Sequence, residues 1–534
     1  MTTHPGPAQP DHTPTSPVTI DLDPGSQPLA HAPAGLDPRH ARAVPEAADP
    51  HAHPTTDFRT DLERLRFSPY FSRLSAVTQV IPQANVGPVI HNRLTHTIKV
   101  ASVARTIAVG LQADTGQAGD ILRALGGCDP IVVQAAASAH DLGHPPFGHL
   151  GERVLDRVAR ERLGLPEGFE GNAQTFRILT ELDTHGAAQP GLNLTSAVRA
   201  AVLKYPWTRL EWRDNFTELP PHERPHGVGE VTPTGAHKFS VYGLHAREVA
   251  TVRAAYPAIG PWQQTVECQV MDIADDIAYS IHDLDDFYRA GVLQQASVSA
   301  ELRTWLRDQT LLARTPLADL TARPRDPGNS LELLRRRIVS RDAWIANDDA
   351  FRAAVERVNE ELVDDLLAVP FDGGIATERS LSAFIRSWLD RFQRSIVVDP
   401  APQVRSGHVR LERQAWHDVI VLKFVHTRFV LDNPDLATAQ RGQAHLMEVL
   451  VLGLEEWLTD RNDVGRAPRR LIESAEATTE SYRHLRADSP ELLSGPTDDE
   501  SIQRRGRGRA VIDYVASLTD AQAISMAGLI RGVG

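Results

Sequence analysis

The stretch IVVQAAASAHDLGHPPFGH, residues 131–149, decides how this chain reads. Residues 131–139 are apolar nearly all round, which is the signature of a helix buried on every side. The Pro145-Pro146 pair cannot continue that helix, so it stops within about a turn of His140 and Asp141. A buried helix therefore delivers His140, Asp141, His144 and His149 to one loop. Three imidazoles and a carboxylate in so short a span point to metal chemistry, although an adjacent His-Asp pair on its own is weak evidence.

Company at a distance strengthens the reading. Upstream, Leu94, Ile98, Ala101, Ala104, Ala108 and Leu111 recur every three to four residues, so His96 rides on a second helix. Downstream, residues 266–288 form a third helical pattern. Asp275, Tyr279 and Asp283 recur there at four-residue steps and share a face, opposite Val270, Ile273, Ile277, Ile281 and Leu284. Asp272, Asp276 and Asp286 are expected in solvent. Most other long segments also carry helical spacing, and the class is mainly α. Alternating β-branched runs are few, and Glu230-Val231 with Phe239–Tyr242 is the expected small hairpin, inside an insertion spanning 207–245.

Composition narrows the chemistry. With 534 residues, the chain can bury a large core, and Cys128 and Cys268 are its only cysteines. That excludes a disulfide framework and a cysteine zinc site, so any metal must use histidine and carboxylate. Such donors suit a divalent Mn, Fe, Co or Ni ion, tolerate Mg, and leave positions open for water and phosphate. The net charge of -13 argues against broad nucleic-acid binding but not against an anionic small molecule held by a few focused cations. No apolar stretch is long enough to cross a bilayer, and the polar N-terminus lacks a secretory pattern, so the expected compartment is the cytoplasm. Neither a Walker loop nor a nucleophile elbow is present, which disfavours ATP-driven work and serine hydrolysis. Residues 1–57 are rich in Pro, Ala, His and Asp without apolar periodicity and are expected to be a disordered tail. The expected division of the remainder is 58–291, with the catalytic residue types, and a helical region at 292–534.

His96, His140-Asp141 and Asp275, in that order, resemble the ligand set of the HD metal-dependent phosphohydrolases. The flanks NRLTHT (92–97), HDLGHPPFGHLG (140–151) and DDIAYSIHD (275–283) are similar to the deoxynucleoside triphosphate triphosphohydrolases, the dGTPase-like branch. Weaker matches run from Phe71–Leu74 to VIDYVASLTD (511–520). The resemblance implies an HD-domain helical core with a C-terminal helical extension. It also implies one divalent metal on His96, His140, Asp141 and Asp275, and hydrolysis of dGTP or dNTPs generally to deoxynucleoside and inorganic triphosphate. His149 would be the catalytic histidine, with Glu152 its carboxylate partner and His144 supporting the phosphate. Tyr279 and Asp283 would hold the deoxyribose, Asp283 by accepting from the 3'-hydroxyl. Arg93, Lys204, Tyr205 and Lys238 would meet phosphates, Asn172 would reach the substrate, and Gln79 would touch sugar or base.

The implied partners are a dNTP substrate, a dNTP activator and further copies of the chain, a hexamer foremost. The basic run Arg504–Arg509 suggests a secondary contact with single-stranded nucleic acid. The alternatives are an HD hydrolase of another nucleotide phosphoester and a non-catalytic nucleotide sensor.

Overall fold

The structure, a computed structural model, describes residues 37–46, 56–79, 91–185, 191–211, 218–228, 235, 237–431 and 434–532. It is mainly helical, as the sequence predicts. At its centre lie α1 (Thr56–Phe67), α2 (Arg93–Gln112) and α3 (Pro130–Ala139). Asp129 caps α3 by accepting from the amides of Ile131 and Val132, and Pro130 opens its first turn. Asn92 and Thr95 form a reciprocal capping box at the start of α2.

Next come α4 (His149–Arg162), α5 (Gly171–Arg177), α6 (Ser196–Ala201) and the long α7 (Val266–Arg289). Helices α2, α3 and α7 contact one another pairwise, while α1 and α6 cover further sides of α3. Ala135, Ala136, Ala137 and Ala139 are fully buried, and their small side chains allow this close approach. One detail of α2 differs from the expected pattern. Ile98 is 52% exposed, and Val100, Val103 and Ile107 join the alanines as the buried side. Helix α2 meets both α3 and α7, so its apolar face is centred between two partners.

The remaining elements used below are β1 (Ile396–Val398), β2 (Val409–Leu411), α8 (Arg413–His426), α9 (Pro434–Thr459), α10 (Arg469–Asp488), α11 (Asp499–Ala516) and α12 (Asp520–Ile530). The strands pair antiparallel with Ile396 opposite Leu411. This small sheet is not where the sequence suggested. Glu230-Val231 lies outside the described residues. In Phe239–Tyr242, only Val241 makes a bridge, to Thr208. Phe239 and Tyr242 instead pack with Tyr205 and Trp207 in an aromatic cluster, so side-chain burial rather than strand pairing shapes the segment.

Besides that aromatic cluster, the described residues form two larger apolar cores. One runs from Phe58 to Val430 and has no break near residue 291. The other packs α4 against α9, α11 and α12. Residues from late in the chain are thus built directly onto the helix that begins at His149.

The tail reading also needs correction, because residues 37–46 are anchored. Arg39 donates to Glu267 at 2.6 Å, and Arg42 donates to Asp61 at 2.6 Å. Asp61 is fully buried and also accepts from the Thr195 amide at 2.8 Å and its hydroxyl at 2.6 Å. The Ala41 carbonyl accepts from the Ser196 amide at 2.7 Å. Two arginines on buried carboxylates can order a segment that has no apolar period, and hydrophobic patterning does not register such an anchor.

Removing Asp61 takes the buried carboxylate from Arg42 and leaves two buried Thr195 donors without their acceptor. Asp61→Ala is expected to destabilise the protein by about 3 kcal/mol, whereas truncating exposed Arg59 changes it by no more than about 0.5 kcal/mol. Denaturant unfolding of the two variants checks this.

Candidate metal centre and active site

Helix α3 ends at Ala139, and the next residue turns its ring into a pocket between helices. His140 Nδ1 donates to the Ala137 carbonyl at 2.7 Å, which fixes the tautomer and leaves Nε2 as a lone-pair donor. That Nε2 is buried without a hydrogen-bond partner, and it lies 3.6 Å from both Asp275 Oδ1 and Asp141 Oδ1. His96 Nε2 lies 3.3 Å from the same Asp275 oxygen. Donor atoms from α2, α3's end and α7 thus gather within 4.8 Å of one another. Ligands around a first-row ion sit about 2 Å from it and so about 3 Å apart, and this cluster fits a divalent cation after a small contraction. The orphaned Nε2 and the all-nitrogen-and-oxygen donor set support that fit.

The two carboxylates are strongly favoured in their ionised form. Burial pushes Asp141 upward, but Arg93, donating at 3.0 Å, together with His140 and His144 holds it well below the usual carboxylate range. Burial also opposes ionisation of Asp275, and Lys204, His140 and His96 overrule it in the same way. Lys204 contacts Asp275 at 3.1 Å and Asp272 at 2.6 Å.

The loop beyond is bent by unusual backbone. Phe147 (φ 63°) and Gly148 (φ 57°) both occupy positive φ immediately before α4. A Cβ on Gly148 would stand 2.5 Å from Arg93 Nη2, so glycine is required there. Phe147 has no such freedom, and its conformation costs roughly 1–2 kcal/mol that its surroundings must offset. Asp520, the first residue of α12, accepts from the Phe147 amide through Oδ1 at 2.9 Å. Its Oδ2 accepts from the amide of Thr78 at 2.9 Å and from the Thr78 hydroxyl. Arg73 binds the carbonyls of Leu142 (3.0 Å), His144 (2.6 Å) and Leu518 (2.8 Å). Residues near 73–78 and 518–520 therefore clamp the loop from both sides.

His149, the first residue of α4, is 60% exposed and holds Glu152 through Nδ1 at 2.9 Å. Glu152 is buried, accepting from the Gly171 amide at 2.9 Å and from Lys238 at 3.2 Å. Burial alone would raise its pKa, but Lys238 and His149 hold it well below the usual range. An ionised Glu152 fixes the proton on His149 Nδ1 and leaves Nε2 available. Burial pushes His144 down to about 4, and Arg93 adds to this, so its ring is neutral at physiological pH.

A cavity of about 720 Å³ opens over this centre. All the metal, catalytic and substrate residues expected from the sequence line it except Glu152, which stands behind His149, and Asp283. Asp283 is the clearest correction. It shares the Tyr279 face of α7, as predicted, but it is 2% exposed and is covered by a residue from α8. That residue, His426, stacks on Tyr279 with ring centroids 4.5 Å apart and approaches Asp283 at 3.3 Å. Burial, reinforced by Asp286 and Asp275, raises the Asp283 pKa well above the usual range. Helical periodicity places a side chain on a face; it does not say what later packs over it.

Several expected cations also have carboxylate partners at the cavity wall. Arg93 is paired with Asp141, Lys204 with Asp272 and Asp275, and Lys238 with Glu152 and Glu170. Asn172 donates to Glu170. Of the neighbouring acids expected in solvent, Asp272 meets Lys204 and buried Asp286 meets His91, whereas Asp276, its side chain 39% exposed, meets Lys423 at 2.7 Å. Sequence reading missed His426 and the wall formed by Trp344 and Trp416, because none of them belongs to a motif or follows a telling spacing. The basic run at 504–509 lies on α11. Arg504 donates to the Arg162 carbonyl, Arg505 donates to the Pro496 carbonyl, and buried Arg509 lies 3.9 Å from the Tyr242 ring centroid. Arg505 and Arg509 are buried, whereas Arg504 is exposed. Among the described residues, no helix is long and apolar enough to cross a membrane.

Comparison with known proteins agrees with this layout. The HD domain family matches residues 93–183, and the phosphohydrolase-associated domain matches residues 466–528. A deoxyguanosinetriphosphate triphosphohydrolase-like protein of Streptomyces coelicolor is 31% identical, over 94% of this chain and 98% of that one. A protein of the same description from Bifidobacterium longum is 30% identical, over 90% and 84%.

The division of labour can be checked by metal analysis alongside turnover. His140→Ala is expected to lose bound metal and activity together, while His149→Ala keeps the metal and loses turnover. Asp520→Ala is expected to keep the metal and lower turnover at least about tenfold, because the strained loop before His149 relaxes. Wild-type turnover in Asp520→Ala would show that the clamp does not set His149.

Proposed function

Because the chain belongs to the deoxyguanosinetriphosphate triphosphohydrolase-like family of HD-domain proteins, we propose that it hydrolyses deoxynucleoside triphosphates, dGTP among them, to deoxynucleoside and inorganic triphosphate. The observation that carries this reading is a three-helix donor cluster and a carboxylate-oriented histidine opening on one cavity.

The cation would be held by His96, His140, Asp141 and Asp275, and Mn, Mg, Fe, Co and Ni are all compatible with these donors. When bound, it lowers the pKa of water and polarises a phosphoryl oxygen. His149 Nε2 takes a proton from the attacking water and returns it to the 5'-oxygen as the bond from that oxygen to the α-phosphorus breaks. Glu152 keeps His149 in the required tautomer throughout. Neutral His144 and paired Arg93 line the phosphate path without adding a competing acid. Tyr279, flanked by His426, meets the sugar, and Asp283 lies behind His426. A 2'-hydroxyl against these rings is crowded and left without a partner. Gln79 and Asn172 contact sugar or base, and Lys204, Tyr205 and Lys238 face the polyphosphate. A homo-oligomer of six subunits, activation by a dNTP and a cytoplasmic location complete the reading.

The test is to offer the purified protein each dNTP and rNTP with Mn or Mg in isotopically labelled water. Triphosphate is expected as the product, with the label on the phosphate chain. Release of orthophosphate or pyrophosphate, or label in the nucleoside, would overturn the reading. An unpaired buried hydroxyl costs about 1–3 kcal/mol, so dNTPs are expected to exceed rNTPs by at least about tenfold in kcat/KM. Tyr279→Ala is expected to narrow that gap, which kinetics on paired dGTP and GTP reads directly.

A further inference from the structure

A triphosphate brings several negative charges into a cavity whose cations are largely matched by carboxylates. Near the metal centre, Arg93, Lys204, Lys238 and Lys423 each contact an Asp or Glu. At the far wall, Arg341 and Arg405 share Asp342, and Arg410 meets Asp399. Among the described residues, one lining cation makes no ion pair or hydrogen bond, and that is Arg153.

Its position is informative. Arg153 follows His149 by four residues on α4, so the two side chains project from the same face one turn apart. His149, Leu150 and Arg153 all line the cavity, whereas buried Val154 and Leu155 face the second core. Arg153 is exposed, so an incoming anion meets it without first breaking an internal pair. A guanidinium presents a planar fork of donors suited to two oxygens of a phosphate.

We propose that Arg153 binds the distal phosphates of the polyphosphate and thereby makes phosphate chain length part of the specificity. The proposal rests on the reading of this cavity as a nucleoside polyphosphate site. Contact with the α-phosphate belongs to the groups around His149. Arg153, one turn further along α4, takes the phosphates beyond it, which leave together as the inorganic product.

The experiment compares wild type with Arg153→Ala, Arg153→Glu and Arg153→Lys, each checked for an unchanged melting temperature. The divalent ion is kept in excess over polyphosphate so that chelation is equal in every sample. Inorganic tripolyphosphate binding is measured by calorimetry, and deoxynucleoside by competitive inhibition of dNTP turnover. Arg153→Ala is expected to weaken tripolyphosphate about tenfold and to raise the KM for dNTP similarly, with a much smaller change in kcat. The deoxynucleoside inhibition constant stays put, Arg153→Glu is weaker than Arg153→Ala, and Arg153→Lys recovers part of the loss.

Equal tripolyphosphate binding by wild type and Arg153→Ala overturns the proposal, even if the protein turns over dNTPs normally. Arg153-dependent tripolyphosphate binding with no release of deoxynucleoside from any dNTP supports Arg153 as the polyanion contact and overturns the reading of the reaction instead.

Discussion

The convergence of α2, α3 and α7 on one set of ionisable groups is the constraint on which the rest of the structure depends. His96 and Asp275 lie on two helices and His140 caps the end of a third, and their donor atoms still gather within 4.8 Å. Buried imidazoles and carboxylates are tolerated only where each has a partner. The alanine-rich face of α3 permits the close helix approach, and the Ala137 carbonyl sets the His140 tautomer. Packing and chemistry are therefore solved by the same residues.

A second dependence runs from α12 back to the loop before His149. Phe147 sits at positive φ, and Asp520 holds its amide while also holding Thr78. Arg73 ties Leu142, His144 and Leu518 together. The phosphohydrolase-associated region, residues 466–528, thus contributes to the backbone geometry that presents His149, in addition to covering α4 with apolar side chains.

Electrostatics in the cavity follow a consistent pattern. Acidic side chains outside the donor cluster are matched by lysine, arginine or histidine, as in Asp272 with Lys204 and Asp286 with His91. Such pairing keeps a strongly acidic chain from repelling an anionic ligand at close range. It also means that a cation near the site cannot be assigned to substrate from its presence alone, since Lys238 serves Glu152 and Glu170.

The sequence by itself determined the helical class, the buried α3, the candidate donors His96, His140 and Asp275 that the fold brings together, and the pairing of His149 with Glu152. These features are local or carried by motifs: an apolar run, a proline stop, an i,i+3 step and an ordered spacing are all visible in one dimension. Only the tertiary structure decided that Asp283 lies behind His426, that Asp520 fixes the loop, that residues 37–46 dock through Arg39 and Arg42, and that Arg505 and Arg509 turn inward. The deciding contacts join residues far apart in the chain, 228 positions for Arg39 with Glu267 and 373 for Phe147 with Asp520, or turn a side chain onto carbonyls that no periodic pattern marks, as for Arg505. Periodicity states which face a side chain occupies. What comes to cover that face is fixed by the packing of distant segments, and no local pattern encodes it.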